Sequence, residues 1–407
     1  MKLIDGGVCA AQGFRASGLH AGVKTHNLQK KDVALIVSDV DCAAAAVFTK
    51  NVVKAAPIHV DKAHLTDGRA RAIIANSGNA NACAPMGKEN AEAECAAVAK
   101  ALGIPAENVL VSSTGVIGQT LPVKVIEDAV PELVKNLTAS AEGSDAAACA
   151  IMTTDTVKKE VAVETSVGGK TVRMGGIAKG SGMIHPNMGT MLCFLTTDCA
   201  ISSEMIHAAL LDTVGVSFNR ISVDGDTSTN DTCCVLANGL AGNELITEKN
   251  AAYGEFLEAL QTLAIALAKK MASDGEGAKH LVTCTVTGAA DEKTAETVCK
   301  SVISSTLTKA AVFGADANWG RVLCAMGYSG VEFDPEKVNV WFASTAGSIE
   351  VCHQGRGLDF DEMLAKTILT EHDVEINVQM GEGKAACTCW GCDITYDYIK
   401  INGDYRT

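Results

Sequence analysis

Apolar residues along the chain follow two kinds of spacing, and each kind predicts a different element. Short apolar runs predict buried strands at 33–39, 70–75, 108–112 and 191–195. Apolar positions that recur every three or four residues predict helices over 89–102, 123–136, 203–213, 255–272 and 293–309. Because strands and helices intermix over the whole length, the pattern predicts a layered α/β or α+β fold.

Further strands are expected in two other regions. Residues 160–174 predict a β-hairpin with Gly168-Gly169 at its turn, because paired glycines suit a tight connection between strands. A strand is expected at 280–287, and 338–400 is expected to be mostly strands with one helix near 361–369. The sequence has no repeat, low-complexity tract or proline-rich linker, so its composition marks no domain boundary.

The composition is that of a folded globular protein. Hydrophobic residues make up 47% of the 407 positions and charged residues 20%, which excludes global disorder. The net charge is −14, and the longest basic cluster is a Lys-Lys pair. Nucleic acid is therefore disfavoured as a partner, because binding phosphates requires a positive surface. The apolar runs are too short for a membrane span of roughly 20 residues, so no membrane partner is expected.

Sixteen cysteines are scattered through apolar segments, and the N-terminus lacks the apolar stretch of a signal peptide. Free thiols in a reducing cytoplasm explain this pattern. The segment Cys387-Thr388-Cys389-Trp390-Gly391-Cys392 contains one Cys-x-x-Cys pair, without a second pair at the spacing of a zinc site. The alternation of a strand accounts for these residues, and no metal ligand is expected.

Candidate chemistry concentrates in residues 179–192, where a glycine-rich turn leads into the Gly189–Thr190 bond and then into an apolar strand. A threonine hydroxyl is a weak nucleophile unless a base lies beside it. One solution is to free the threonine's own amine by cutting the preceding bond. Glycine before the threonine suits such a cut, because glycine tolerates a strained turn. By spacing alone, a buried strand threonine is the simpler interpretation of Thr190.

The stretch Lys179-Gly-Ser-Gly-Met-Ile-His-Pro-Asn-Met-Gly-Thr-Met-Leu192 resembles the signature of the ornithine acetyltransferase family, also called glutamate N-acetyltransferases. The one change is Gly189, where the family usually has alanine. The resemblance implies that the chain cuts itself between Gly189 and Thr190, and that Thr190 carries the acyl group. It also implies that fragments 1–189 and 190–407 stay together in a heterotetramer, two copies of each, with a layered αββα-type fold.

The segment from Ser112 to Gly118 follows a predicted strand, and such a turn can aim a hydroxyl and a backbone N–H at one point. Two such donors stabilise a tetrahedral oxyanion, and one donor is typically worth about 3 kcal/mol of the barrier. Without further context the segment is an ordinary strand-to-loop turn. The resemblance assigns the two oxyanion roles to the Thr114 side chain and the Gly115 N–H.

The resemblance also implies the residues that bind substrate. They are Thr153 with Thr154 as an alternative, Lys179 for a carboxylate, Glu276 for the amino end, Thr190 itself, and Asn402 and Thr407 in the C-terminal segment. Read alone, Lys179 is a solvated loop lysine, Glu276 is exposed, and the C-terminus is a frayed tail. A phosphate loop is excluded, because the order Lys-Gly-Ser from Lys179 does not follow the Walker pattern.

The function implied by the resemblance is transfer of an acetyl group from N-acetylornithine to glutamate through acetyl-Thr190, without a cofactor. The motifs leave open whether acetyl-CoA also donates an acetyl group. Two alternatives remain: a related self-cleaving aminopeptidase that passes the acyl group to water, and an uncleaved, inactive relative that acts as a binding protein. Other matching segments, at 76–81, 222–231 and 314–321, receive no catalytic role.

Overall fold

The structure is a computed structural model and describes residues 1–25, 29–185 and 191–404. In these ranges the strands are β1 (Lys2–Ile4), β2 (Phe14–Leu19), β3 (Val33–Phe48), β4 (Arg69–Asn79), β5 (Val109–Val116), β6 (Lys159–Val167), β7 (Lys170–Lys179), β8 (Leu192–Thr197), β9 (Ile221–Ser222), β10 (Thr232–Ala237), β11 (Leu281–Ala289), β12 (Asn339–Ser344), β13 (Gly347–His353), β14 (Arg356–Gly357), β15 (Asp373–Gln379) and β16 (Ala385–Cys392).

The α-helices of the same ranges are α1 (Ala56–His64), α2 (Gly87–Leu102), α3 (Val123–Lys135), α4 (Ala141–Ile151), α5 (Ser203–Val216), α6 (Ala251–Ser273), α7 (Glu292–Ser304), α8 (Thr306–Phe313), α9 (Trp319–Gly327), α10 (Glu362–Leu369) and α11 (Tyr396–Asp404). None of the helices described here has the length and apolar character needed to cross a membrane.

The strands form two sheets. A nine-stranded sheet has the order β1-β6-β7-β8-β10-β3-β4-β5, with β2 beside β3, and a seven-stranded sheet has the order β14-β13-β12-β15-β11-β16-β9. In the first sheet β8 and β10 run parallel to each other and lie between β7 and β3. Strands from both sides of the Gly189–Thr190 bond are therefore interleaved in one sheet. Division of the chain into fragments 1–189 and 190–407 remains a prediction.

Helices cover both faces of the first sheet, because its strands bury side chains alternately on either side. In β8, Cys193 and Leu195 belong to the apolar cluster that contains α5 and α6. Leu192 and Phe194, which point the other way, belong to the cluster that contains α4. At the far end of the sheet, α2 and α3 pack against β4 and β5. Burial of each such leucine or phenylalanine contributes about 1.5–3 kcal/mol.

The second sheet packs against α7, α9 and α10 and has its own apolar core. Helix α6 links the two sheets, since Trp390 and Cys392 of β16 lie in the same cluster as the apolar side of α6. The layered, mixed α/β fold expected from the sequence is therefore confirmed.

The predicted hairpin is confirmed. Gly168 and Gly169 have φ angles of 56° and 75°, and Val167 pairs with Lys170 across the turn. Both glycines adopt the left-handed backbone that a two-residue hairpin connection requires.

Two local predictions were wrong. The single helix expected at 293–309 is two helices, α7 and α8, because Ser305 leaves the helical conformation and its side chain accepts a hydrogen bond from Thr308 N. Strands were expected as far as residue 400, but the last strand ends at Cys392 and α11 follows. The Thr395 hydroxyl accepts a hydrogen bond from Asp397 N at 3.2 Å, in the first turn of that helix.

Candidate active site

A cavity of about 130 Å³ opens where the ends of β5 and β7 meet the loop after α6 and the helix α11. Its lining consists of Thr114, Gly115, Ile117, Thr153, Thr154, Lys179, Gly182, Met183, Ser228, Thr229, Asn230, Glu276 and Asn402. An apolar cavity of about 150 Å³ can hold a benzene-sized molecule, so this volume suits a small substrate.

The structure brings six of the predicted site residues to this one cavity: Thr114, Gly115, Thr153, Lys179, Glu276 and Asn402. The alternative to Thr153, Thr154, also lines it. Three other predicted site residues, Gly189, Thr190 and Thr407, lie outside the described residues.

Strand β5 places Thr114 and Gly115 beside β4, where Gly115 pairs with Gly78. Gly115 has a φ of +135°, and a Cβ there would lie 2.3 Å from the carbonyl carbon of Gly78. A side chain at this position would therefore collide with the backbone of β4. Glycine is required at 115 because it alone allows this close approach and this backbone conformation.

Lys179 is the last residue of β7 and is 8% exposed, so it is not a solvated loop lysine. Its Nζ donates a hydrogen bond to Thr114 Oγ1 at 3.2 Å. An ammonium can only donate, so the Thr114 hydroxyl is the acceptor and its own hydrogen is directed elsewhere. Burial lowers the pKa of the Lys179 ammonium below its usual value, and the carboxylate of Asp155 partly opposes this shift.

A buried charge network adjoins the residues that line the cavity. The Lys159 ammonium, fully buried, contacts one oxygen of Asp155 and one of Asp274, each at 2.6 Å. Asp155 also accepts hydrogen bonds from Thr153 N at 3.0 Å and Gly180 N at 2.8 Å. Burial by itself would raise the pKa of the Asp155 carboxyl, but the ammonium groups of Lys159 and Lys179 outweigh it and hold that pKa well below its usual range.

The network joins the chain segments that carry Thr153, Lys179 and Glu276. Buried ion pairs contribute little net stability, yet removing one partner costs about 3–5 kcal/mol. Sequence reasoning gave no role to Asp155, Lys159 or Asp274. The sequence feature that could have indicated an ion pair is the four-residue spacing of Asp155 and Lys159, in the polar stretch before the hairpin.

Glu276 is 6% exposed, so the interpretation of an exposed residue does not hold. Asn402 Nδ2 donates to Glu276 Oε2 at 2.5 Å and to Tyr398 O at 3.0 Å. A Cβ at Gly182 would lie 2.5 Å from the Glu276 carboxyl atoms. The end of β7, the loop after α6 and the helix α11 therefore meet at this carboxylate. The described part of the C-terminal segment is a helix at the cavity rather than a frayed tail.

Sequence reasoning missed a third wall of the cavity, formed by Ser228, Thr229 and Asn230. Asn230 is 7% exposed, and its Nδ2 donates to Ala80 O at 2.6 Å and to Ser113 O at 2.7 Å. It thereby fixes the carbonyl next to Thr114. The sequence feature that could have indicated this wall is the high content of Asp, Asn, Ser and Thr in 222–231, but such residues are equally typical of turns.

The cavity carries opposite charges, the Lys179 ammonium and the Glu276 carboxylate, together with several hydroxyl and amide groups. This lining suits a small zwitterion such as an amino acid. Within 1–25, 29–185 and 191–404, no group of three or more His, Cys, Asp or Glu side chains is arranged to hold a metal ion.

Relatives of known name match this chain over its whole length. The ArgJ family matches residues 15–407. The arginine biosynthesis bifunctional protein ArgJ of Symbiobacterium thermophilum is 48% identical over 408 residues, covering 100% of both chains. The corresponding protein of Caldanaerobacter subterraneus subsp. tengcongensis is 47% identical, also over 100% of both chains. A solved chain of the Mycobacterium tuberculosis ornithine acetyltransferase, complexed with ornithine, is 44% identical over 46% of this chain and 98% of that chain, with a TM-score of 0.43.

The family match includes every described residue that lines the cavity and all of the second sheet. The resemblance noted in the sequence is thereby confirmed. With this extent of similarity, the chain belongs to the ArgJ family.

Proposed function

We propose that this protein transfers the acetyl group of N2-acetyl-L-ornithine to L-glutamate, releasing L-ornithine and N-acetyl-L-glutamate in arginine biosynthesis. Membership of the ArgJ family and the names of its relatives support acetyl transfer in this pathway. One observation assigns this activity to a site: a single cavity is lined by Lys179, Glu276, Thr114 and Gly115.

In this proposal the two charged residues bind the substrate's own charges. Lys179 pairs with a substrate carboxylate, which both N-acetylornithine and glutamate carry. Glu276, held by Asn402, pairs with the ammonium end, and Thr153 adds a polar contact. Charge-assisted hydrogen bonds of this kind are about twice as strong as neutral ones, so they select an amino acid over an apolar amide.

The chemistry proceeds through an ester on Thr190. The amine freed by the cut takes the proton of the Thr190 hydroxyl, and the oxygen attacks the acetyl carbonyl of N-acetylornithine. The Thr114 hydroxyl and the Gly115 N–H stabilise the tetrahedral oxyanion. The C–N bond then breaks, and the ornithine amine leaves with the proton. The glutamate amine attacks the ester in the second half, which restores the Thr190 hydroxyl and gives ping-pong kinetics.

The proposed assembly is a heterotetramer of two 1–189 and two 190–407 fragments. The pairing of β7 with β8 and of β3 with β10 supports lasting association of the two fragments within one protomer. The proposed compartment is the cytoplasm, because all sixteen cysteines are unpaired and a reducing compartment keeps thiols free. No cofactor takes part, and acetyl-CoA is a second acetyl donor to be tested.

The test is an assay of the purified protein with N-acetylornithine and labelled glutamate, alongside Thr190→Ala. We expect labelled N-acetylglutamate from the wild type, two fragments on a denaturing gel, and neither from Thr190→Ala. Release of free acetate without an amine acceptor would favour the aminopeptidase alternative. A single uncut band without turnover would favour an inactive binding protein. Replacing N-acetylornithine by acetyl-CoA decides whether the second donor is used.

A further inference from the structure

Residues 183–185, just upstream of the predicted cut, are held by a loop from the other side of that cut. We call residues 222–227 the clamp loop. Asp224 in this loop accepts hydrogen bonds from two successive backbone amides, Met183 N at 2.6 Å and Ile184 N at 2.9 Å, one on each carboxylate oxygen. A carboxylate is the side chain best suited to accept two adjacent N–H groups in this way.

Three more hydrogen bonds join the clamp loop to the same segment. Val223 N donates to Ile184 O at 2.7 Å, and the Thr227 hydroxyl donates to His185 O at 2.8 Å. The His185 ring nitrogen Nδ1 lies 3.0 Å from Ser222 Oγ. Met183, Ile184 and His185 are therefore all fixed by one loop.

The clamped segment also holds an unfavourable backbone conformation. Met183 has a φ of +56°, in the left-handed region that costs a non-glycine residue about 1–2 kcal/mol. Its N–H is one of the two bound by Asp224. The clamp loop therefore stabilises a turn that the sequence Gly182-Met183-Ile184 would not keep unaided.

The chain is fixed again directly after the predicted cut. Met191 O accepts a hydrogen bond from Thr232 N at 2.8 Å, where β8 and β10 begin to pair. In sequence, only residues 186–190 lie between His185 and Met191. The clamp loop and β10 follow each other closely in the chain, so one stretch, 222–232, anchors both sides of the Gly189–Thr190 bond.

We propose that the clamp loop, and Asp224 in particular, positions the chain for its own cleavage at Gly189–Thr190. The inference rests on the maturation step of the proposed function. In that step the Thr190 oxygen attacks the Gly189 carbonyl carbon, the C–N bond breaks, and the hydroxyl proton passes to the new amine. Water then hydrolyses the resulting ester, leaving a Gly189 carboxylate and a free Thr190 hydroxyl. Such an intramolecular attack is faster when the chain on each side of the reacting bond is held in place. Residues 183–185 and Met191 are held in this way.

The test follows cleavage of the full chain after cell-free synthesis, with the cut fraction measured over time on a denaturing gel. Asp224→Asn keeps the size of the side chain but turns one acceptor oxygen into an NH₂ that faces an N–H. We expect cleavage to slow by about 10-fold or more, because a hydrogen bond to a charged group is lost and a donor is left unpaired. Thr227→Val removes the bond to His185 O and should slow cleavage by about fivefold.

Asp226→Asn is the matched control, since it makes the same change two residues away on an exposed side chain that makes no hydrogen bond to 183–185 and acts on His185 only through its charge. The backbone bond from Asp226 N to Asp224 is kept in this variant. The variant should cleave at the wild-type rate. Thermal unfolding of each variant separates loss of positioning from loss of fold. If Asp224→Asn does not fold, the cleavage rate of Thr227→Val tests whether the clamp loop positions the chain.

Wild-type cleavage rates in folded Asp224→Asn and Thr227→Val would overturn the inference. The two proposals can also fail separately. If the wild type is cut, Asp224→Asn is cut slowly and the wild type transfers no acetyl group, the proposed function is overturned and the role of the clamp loop is supported. A wild type that is never cut would overturn both the maturation step and the clamp.

Discussion

The ammonium group of Lys179 donates a hydrogen bond to the hydroxyl oxygen of Thr114 at 3.2 Å, across 65 residues of sequence. The resemblance gives these residues separate tasks, substrate binding for Lys179 and oxyanion stabilisation for Thr114. Because the ammonium can only donate, the bond orients the Thr114 hydroxyl so that its hydrogen remains available to another acceptor. The two tasks are therefore linked, and this link shapes the first two predictions.

Thr114→Ala should lower kcat by about 10²–10³ with little change in KM, because the lost donor acts mainly in the transition state. Thr114→Ser, which keeps the hydroxyl, should retain most of the activity. Steady-state kinetics with N-acetylornithine and glutamate measure both. A variant that changed KM alone would show that Thr114 binds substrate instead.

Lys179→Met should lower kcat as well as raise KM, because it removes a carboxylate partner and also leaves the Thr114 hydroxyl free to rotate. Adding Thr114→Ala to Lys179→Met should then cost less than Thr114→Ala costs in the wild type. Contacting residues are typically non-additive by about 0.5–3 kcal/mol, and a double-mutant cycle in kcat measures this coupling. Strict additivity would mean that the hydrogen bond plays no part in turnover.

Glu276→Gln should raise KM by about 10-fold or more with a smaller effect on kcat, because it removes the charge that pairs with the substrate ammonium and keeps the side-chain size. The Asn402 contact can persist through the remaining carbonyl oxygen. Kinetics with N-acetylornithine, and with an analogue that lacks the ammonium, provide the check. The analogue should not distinguish the variant from the wild type.

Asp155→Asn should destabilise the protein at pH 7 by about 3–5 kcal/mol, because the buried Lys159 ammonium loses one of its two carboxylates. The folded protein holds the pKa of Asp155 below its usual range, so the stabilisation is present above the unfolded value of about 3.9. It is lost progressively as the pH falls below that value towards the folded pKa. Urea unfolding should therefore give a larger difference from the wild type at pH 7 than at pH 3.

Asp145→Asn serves as the control, because Asp145 pairs with Lys158 on the surface and its side chain is 44% exposed. Exposed ion pairs contribute about 0–1 kcal/mol, so this variant should remain close to the wild type at both pH values. An equal loss of stability in both variants would contradict the role of the buried network.

Deletion of residues 402–407 should leave folding and self-cleavage intact but lower kcat/KM by about 10²–10⁴, because the two hydrogen bonds to charged substrate proposed for Asn402 and Thr407 would be lost. Asn402 is exposed and its main contact is the Glu276 carboxylate, so little core packing is removed. Kinetics and thermal unfolding of the truncated protein separate the outcomes. Unchanged kinetics would remove Asn402 and Thr407 from the site, and failure to fold would make the segment structural.

Local sequence determined the elements whose pattern is complete within a few residues. The Gly168-Gly169 turn, the long helix α6 and the short apolar strands were all readable, because φ preferences and apolar spacing act between near neighbours. The motif from Lys179 to Leu192 was equally local, and it led directly to the family. Residues 293–309 show the limit, since one serine cap divides a helical pattern that otherwise looks continuous.

Only the tertiary structure decided which residues meet at the cavity. Lys159 contacts Asp274 from 115 residues away, and Asn230 fixes the carbonyl of Ser113 from 117 residues away. No local pattern encodes such pairs, because they depend on how the strands are ordered in the sheet and on which loops the sheet edge brings together. Burial then gives these polar groups their role, since a charge removed from water must find its partner within the protein.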